Sequence, residues 1–188
     1  MRVLVVGGSG SGKSAFAEGL ACSLSPWRTY VATMESQSAE AQRRIVRHRA
    51  QRAGLGFVTI ECLSVLPVGG WQEESSPKTA KSHSAGGVAL VEDVGNLVAN
   101  ALFLPSGDMG DPDAVVEVLV RNVHDFCASY DHVVVVGNLV GSEGVAAHEA
   151  TRAWVRAVGT LCCKLAASFD AVVEVTAGIP QVVKGELP

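Results

Sequence analysis

The 188-residue chain has no apolar run approaching the ~20 residues that a bilayer crossing requires; stretches such as Val133 to Val136 are a fraction of that length. No membrane span is expected. A C-x-x-C pair is also missing, and the cysteines number five, so the pattern excludes a disulfide framework and a common zinc site and fits a reducing compartment. Cys162 and Cys163 are adjacent, which suits neither a bridge between them nor a usual metal spacing. The net charge of −4 removes the basic face that nucleic-acid binding needs, so no nucleic-acid partner is expected. Heptads and internal repeats are absent. What remains is a chain with 48 % apolar residues, long enough to bury a core without staples, read as one domain over 1–188. Its first apolar run leads within a few residues into a glycine-rich segment, which leaves no place for a cleavable signal. A cytoplasmic location is therefore expected.

Short β-branched runs recur at Arg2 to Val6, Thr29 to Ala32, Phe57 to Ile60, Val88 to Val91, Val133 to Val136 and Ala171 to Val175. They are largely apolar rather than alternating, as strands covered on both faces are. Helical stretches fall between them at Lys13 to Ser23, Ser38 to Arg52, Asp93 to Leu104, Asp111 to Ser129 and His148 to Ser168. This rhythm predicts an α/β fold with a mainly parallel central sheet flanked by helices. Asp111-Pro112 supplies a capping carboxylate and a first-turn proline, and Ser36 or Ser38 is a candidate cap for the second helix. From Pro67 to Gly87 all periodicity is lost, and the segment reads as a long irregular loop.

Gly7-Gly8-Ser9-Gly10-Ser11-Gly12-Lys13-Ser14 follows the first strand and opens the first helix, the proper setting for a phosphate-binding loop. The spacing G-x-x-x-x-G-K-[ST] lets glycines take positive φ so that backbone N–H groups wrap phosphate oxygens at the positive end of a helix. Lys13 is expected to reach the β and γ phosphates of a nucleoside triphosphate, and Ser14 to ligate Mg²⁺. Such proteins place a carboxylate at the end of a neighbouring strand to hold the same ion, and Val88-Ala89-Leu90-Val91-Glu92-Asp93 offers two. Glu92 is the expected second metal ligand, with Asp93 starting the next helix; on the residues alone, both carboxylates also read as helix caps.

Five of the 15 basic side chains crowd into Gln42 to Arg52. On a helix, Arg44, His48 and Arg52 share one face. A histidine among guanidinium groups binds its own proton less well and stays neutral, and neutral imidazole is able to attack phosphorus to form a phosphoramidate. On the residues alone, a solvated charged face with an incidental histidine is the favoured reading.

Several segments taken together resemble the bifunctional adenosylcobinamide kinase/adenosylcobinamide-phosphate guanylyltransferase family. They are Gly7-Gly8, then Tyr30-Val31-Ala32-Thr33, then Arg44-Ile45-x-x-His48-Arg49-x-x-Arg52 and Glu61. Leu90-Val91-Glu92, Asn100, Asn138, Val140-Gly141, Arg152, Gly159, Ala177-Gly178-Ile179-Pro180 and Lys184 follow in order, so the likeness covers nearly the whole chain. It implies a P-loop fold related to recombination ATPases and a homotrimer. It also implies an enzyme that phosphorylates adenosylcobinamide and transfers GMP from GTP through a guanylyl-histidine, here His48. Nucleotide contacts would fall on Gly7 through Ser14, on Ala32, Thr33 and Met34, on Arg49, Ala50, Gln51 and Arg52, and on Glu61 and Glu92. GTP or ATP with Mg²⁺ would be co-substrate, and a corrinoid the acceptor. The family pattern is not kept at Gly10, Leu139, Ala146-Ala147-His148 and Cys162-Cys163. The competing readings are another P-loop small-molecule kinase and a silent nucleotide-binding paralogue.

Overall fold

A computed structural model of the chain describes residues 1–34, 39–68, 86–140 and 148–188, without the side chains of residues 39–41, 44 and 51. The candidate cap at Ser36 or Ser38, most of the expected loop from Pro67 to Gly87, and Gly141, Ala146 and Ala147 lie outside the described residues.

Seven strands form one sheet: β1 (Arg2–Gly7), β2 (Arg28–Ala32), β3 (Phe57–Glu61), β4 (Val88–Glu92), β5 (His132–Asn138), β6 (Ala171–Thr176) and β7 (Ile179–Lys184). Their order is β3-β2-β4-β5-β1-β6-β7, and every pairing is parallel except β6 with β7. The helices are α1 (Lys13–Leu24), α2 (Ala39–Arg52), α3 (Val94–Leu102), α4 (Pro112–Cys127) and α5 (Glu149–Ser168).

The unbroken apolar runs are explained by two cores. Side chains alternate across a strand, so Val3 and Val5, Val88 and Leu90, and Val134 and Val136 pack on the face that holds Ala17, Leu20 and Ala21 of α1. Leu4 and Val6, Ala89 and Val91, and Val133 and Val135 pack on the other face against α3, α4 and α5. Two elements depart from the expectation. The edge strand β3 has Val58 and Thr59 exposed, because only β2 pairs with it. The strand β7 was not expected at all: it is exposed along its length, so no burial pattern marks it.

What creates β7 is a two-residue hairpin turn in which Ala177 and Gly178 both take positive φ, 50° and 80°. Lys184 then fixes its end by donating to the carbonyls of Ala166, Ala167 and Phe169 at the C-terminus of α5. At the other side of the molecule, Asn122 of α4 holds the segment that follows β3. Its Oδ1 accepts from Leu66 N at 2.8 Å and its Nδ2 donates to Leu66 O at 3.0 Å. Both partners are buried, so Asn122→Leu strands a backbone donor and acceptor and should cost about 2 kcal/mol in urea unfolding. A loss under 0.5 kcal/mol would show that water reaches this segment.

Candidate functional site

The loop between β1 and α1 is shaped by its glycines. Gly12, at φ 91°, precedes α1 without any side-chain cap, which leaves first-turn N–H groups for an anion. Gly10 also takes positive φ, at 70°. A Cβ on Gly7 would collide with Ser11 Oγ and lie 2.6 Å from Val175 O. Gly178 N donates to Ser11 O at 2.8 Å, so the β6–β7 turn braces the loop. Lys13 is buried, and its ammonium donates to Gly8 O at 3.1 Å, folded over the loop.

Ser14 Oγ donates to Glu92 Oε1 at 2.6 Å, which joins the start of α1 to the end of β4. Glu92 is 6 % exposed, and its Oε2 has no hydrogen-bond partner among the described residues. Burial pushes its carboxyl up to about 7, and the charge of Asp93 adds to this, while the Ser14 bond and Lys13 oppose it. A buried carboxylate with one unpartnered oxygen beside a hydroxyl is a donor set of hard oxygens that fits Mg²⁺. Asp93 has a different task. Its Oδ1 accepts from Asn96 N and caps α3, and its Oδ2 accepts from Asn138 Nδ2. Thr33 is fully buried, with Oγ1 within 2.8 Å of the Glu92 and Asp93 carbonyls, so it anchors the carboxylate-bearing turn from behind. Asn100 Nδ2 in turn donates to Thr33 O and Leu63 O.

Beyond Glu92 opens a cavity lined by Tyr30, Ala32, Met34, Ile45, His48, Arg49, Arg52, Glu61 and Asp93 among others. Ile45, His48, Arg49 and Arg52 are the i, i+3, i+4 and i+7 positions of α2, one helical face. His48 is half-buried there. Arg49 and Glu61 form an ion pair at 3.0 Å with both side chains largely exposed, a contact worth about 0–1 kcal/mol and easily exchanged for a ligand. Arg52 is 8 % exposed and lies 3.3 Å from the centroid of the Tyr30 ring. Its Nη1 is 3.9 Å from Glu18 Oε1, close enough for ionic attraction but too far for a hydrogen bond, and neither atom has another partner among the described residues. Ala50 is on the exposed side of α2 and does not line this cavity; the Gln51 and Arg44 side chains are outside the described residues.

Tyr30 and Glu18 were not singled out as functional in the sequence. Glu18 is one helical turn beyond Ser14, a signal visible only once α1 is known to face α2. Of the departures from the family pattern, Cys162 is a core filler whose sulfur would be 2.8 Å from a Cβ on Gly137, and burial pushes its thiol up to about 12. Cys163 is exposed. Leu139 N donates to Gly7 O, so this residue's backbone contributes to the loop even where its side chain differs.

A sequence profile for cobinamide kinase/cobinamide phosphate guanyltransferase (CobU) matches residues 3–183. A bifunctional adenosylcobalamin biosynthesis protein, CobP, from Pseudomonas aeruginosa is 30 % identical across 99 % of both chains. Among solved structures, a type III secretion ATPase shares the fold with a TM-score of 0.55 at 12 % identity, over 94 % of this chain and 51 % of that one. The ATPase EscN of enteropathogenic E. coli gives 0.51 at 12 % identity, over 94 % of this chain and 43 % of its own. The chain thus spans about half of each ATPase, and the likeness is one of P-loop fold alone.

The Ser14–Glu92 pair yields a direct test. Mg²⁺ should strengthen GTP binding at least tenfold in the native protein, and Glu92→Gln should lose most of that gain while retaining the metal-free affinity, as read by calorimetry. An unchanged Mg²⁺ dependence would remove Glu92 from the ion's shell.

Proposed function

The chain belongs to the cobinamide kinase/cobinamide phosphate guanyltransferase family of cobalamin biosynthesis, and we propose that its guanylyl transfer runs through His48 in the cavity beside the phosphate loop. The single observation that supports this is that His48 and Glu92 line one cavity while Glu92 is bonded to Ser14 of the loop. In this reading a triphosphate lays its β and γ groups on the loop N–H groups and extends its α-phosphorus toward the α2 face.

In the first step a ring nitrogen of neutral His48 attacks the α-phosphorus of GTP. The P–N bond forms, the bond to the β-bridging oxygen breaks, and pyrophosphate leaves with the electron pair; the other ring nitrogen releases its proton to solvent. Lys13 and the loop N–H groups take the charge that builds on the leaving group. Arg49 and Arg52 present planar donors to the α-phosphate oxygens. Glu61, at the mouth of the cavity, offers acceptors to the N–H edge of guanine. Mg²⁺, when bound by Ser14 and Glu92, neutralises phosphate oxygens. The kinase step would use the same loop and Lys13, with the hydroxyl of adenosylcobinamide as acceptor and GTP or ATP as donor.

We also propose a cytoplasmic homotrimer. Among the described residues no helix is long and apolar enough to cross a membrane. The edge strand β7 exposes Ile179, Val182 and Val183, an apolar surface suited to a second copy.

Two substitutions separate the activities. Lys13→Ala should lower both reactions at least a hundredfold. His48→Ala should abolish the acid-labile, base-stable label acquired from α-labelled GTP while leaving phosphorylation of adenosylcobinamide within about threefold of native. A label that persists in His48→Ala would exclude this histidine as the carrier.

A further inference from the structure

Among the described side chains of α2, Arg52 alone is buried; the others are exposed or, like Ile45 and His48, half-buried. A surface helix ordinarily holds its place by burying an apolar stripe, and the described residues of this one supply none. Apart from the exposed pair of Arg49 with Glu61, its hold on the molecule falls on its last residue.

The Arg52 guanidinium lies 3.3 Å from the centroid of the Tyr30 ring, in β2, and its Nη1 is 3.9 Å from Oε1 of Glu18, in α1. Both atoms are shut off from solvent, and neither has a hydrogen-bond partner among the described residues. The other carboxylates that act on the ring are engaged elsewhere: Glu92 with Ser14, and Asp93 as the cap of α3. Glu18 is thus the countercharge left to Arg52, and burial raises its carboxyl while Arg52 pulls it down.

The helix α1 carries the matching face, on which Ser14, Glu18 and Cys22 recur every fourth residue. Ser14 bonds Glu92, and Glu18 faces Arg52. The Cys22 carbonyl accepts from Arg28, whose other terminal nitrogen donates to Leu55 O just past the end of α2. One stripe of α1 therefore runs from the phosphate loop to the end of α2. His48 precedes Arg52 by one helical turn, so the seat of Arg52 sets where the imidazole stands.

We infer that Tyr30 and Glu18 are positioning residues for guanylyl transfer: they seat Arg52, and through it hold His48 at the cavity beside the phosphate loop. The ring supplies a face, Glu18 an opposite charge, and both act through the guanidinium. The inference rests on the guanylyl transfer proposed above.

The test compares Tyr30→Phe, which keeps the aromatic face, with Tyr30→Leu, which keeps only apolar bulk, and adds Glu18→Gln. Two rates are read on each protein: labelling by α-labelled GTP, and phosphorylation of adenosylcobinamide at saturating nucleotide, which reports an intact phosphate loop. Labelling should slow about tenfold or more in Tyr30→Leu and Glu18→Gln and stay within about threefold of native in Tyr30→Phe, with phosphorylation within about threefold in all three. In an Arg52→Gln background, Glu18→Gln should add less than about twofold, since its effect passes through that guanidinium. Carbethoxylation of His48, mapped by peptide mass, should quicken about threefold or more in Tyr30→Leu and Glu18→Gln, because the half-buried ring is no longer held. Unchanged labelling in both of these variants, equal loss of both rates in Glu18→Gln, or additive losses in the Arg52→Gln background overturn the seat, as does a Tyr30→Phe protein as impaired as Tyr30→Leu. If the native protein takes no label while the reactivity of His48 still shifts in these variants, the transfer fails and the seat stands.

Discussion

The contact on which the site depends is the 2.6 Å bond from Ser14 Oγ to Glu92 Oε1. It spans two strand positions, because β4 and β1 are separated by β5. In a parallel sheet the carboxyl ends of all strands lie at one edge, and ligands bind in the crevice there. Holding Glu92 at that edge, largely out of water, has a cost that the single hydroxyl bond and the nearby Lys13 only partly offset, which is why burial dominates and its carboxyl is raised to about 7. Thr33 and Asn100 supply the counter-constraint: they tie the ends of β2, β3 and β4 together from behind, so the turn cannot swing the carboxylate outward. The unsatisfied oxygen is thus held where a cation would relieve it.

The sequence was informative where one physical signal had one meaning. Buried parallel strands must be apolar on both faces, and β1, β2, β4, β5 and β6 showed that. The phosphate loop was legible because backbone geometry restricts it to glycine at fixed spacing, and positive φ at Gly10 and Gly12 follows from the same restriction. The strand β7 was illegible because its solvent-facing residues carry no burial pattern and its existence depends on pairing with β6, a tertiary fact. On α2 the arginine cluster was visible, but the cavity face is set by Ile45, Arg49 and Arg52 around His48. An i, i+4 rule cannot choose between overlapping faces when most positions are charged; the choice is made by Tyr30 and Glu18, which lie far away in the chain.

Arg52 shows why that choice is specific. A buried guanidinium with no close carboxylate oxygen is costly unless something else compensates for lost water. The Tyr30 face offers part of this, and Glu18 a weakened ionic attraction at 3.9 Å, itself limited because burial raises the Glu18 carboxyl against the pull of Arg52. Lysine would not serve here, since it has neither a planar face to stack on the ring nor a fork of donors to share between two sides. The arrangement is therefore a buried cation held chiefly by the ring rather than by a close ion pair.

A covalent carrier fits this geometry better than direct transfer would. With the β and γ phosphates on the loop as proposed, two strongly anionic groups would compete for the same cations for as long as pyrophosphate remained there. In the transfer proposed above, carrying the guanylyl group on His48 would let pyrophosphate leave first, so that the acceptor's phosphate would arrive after the negative charge on the loop has fallen. Arg49 and Arg52, which line the cavity with His48, would then neutralise only the guanylyl phosphate and the incoming acceptor. A single-displacement reaction, by contrast, would need room for four phosphates at once around the same few guanidinium groups.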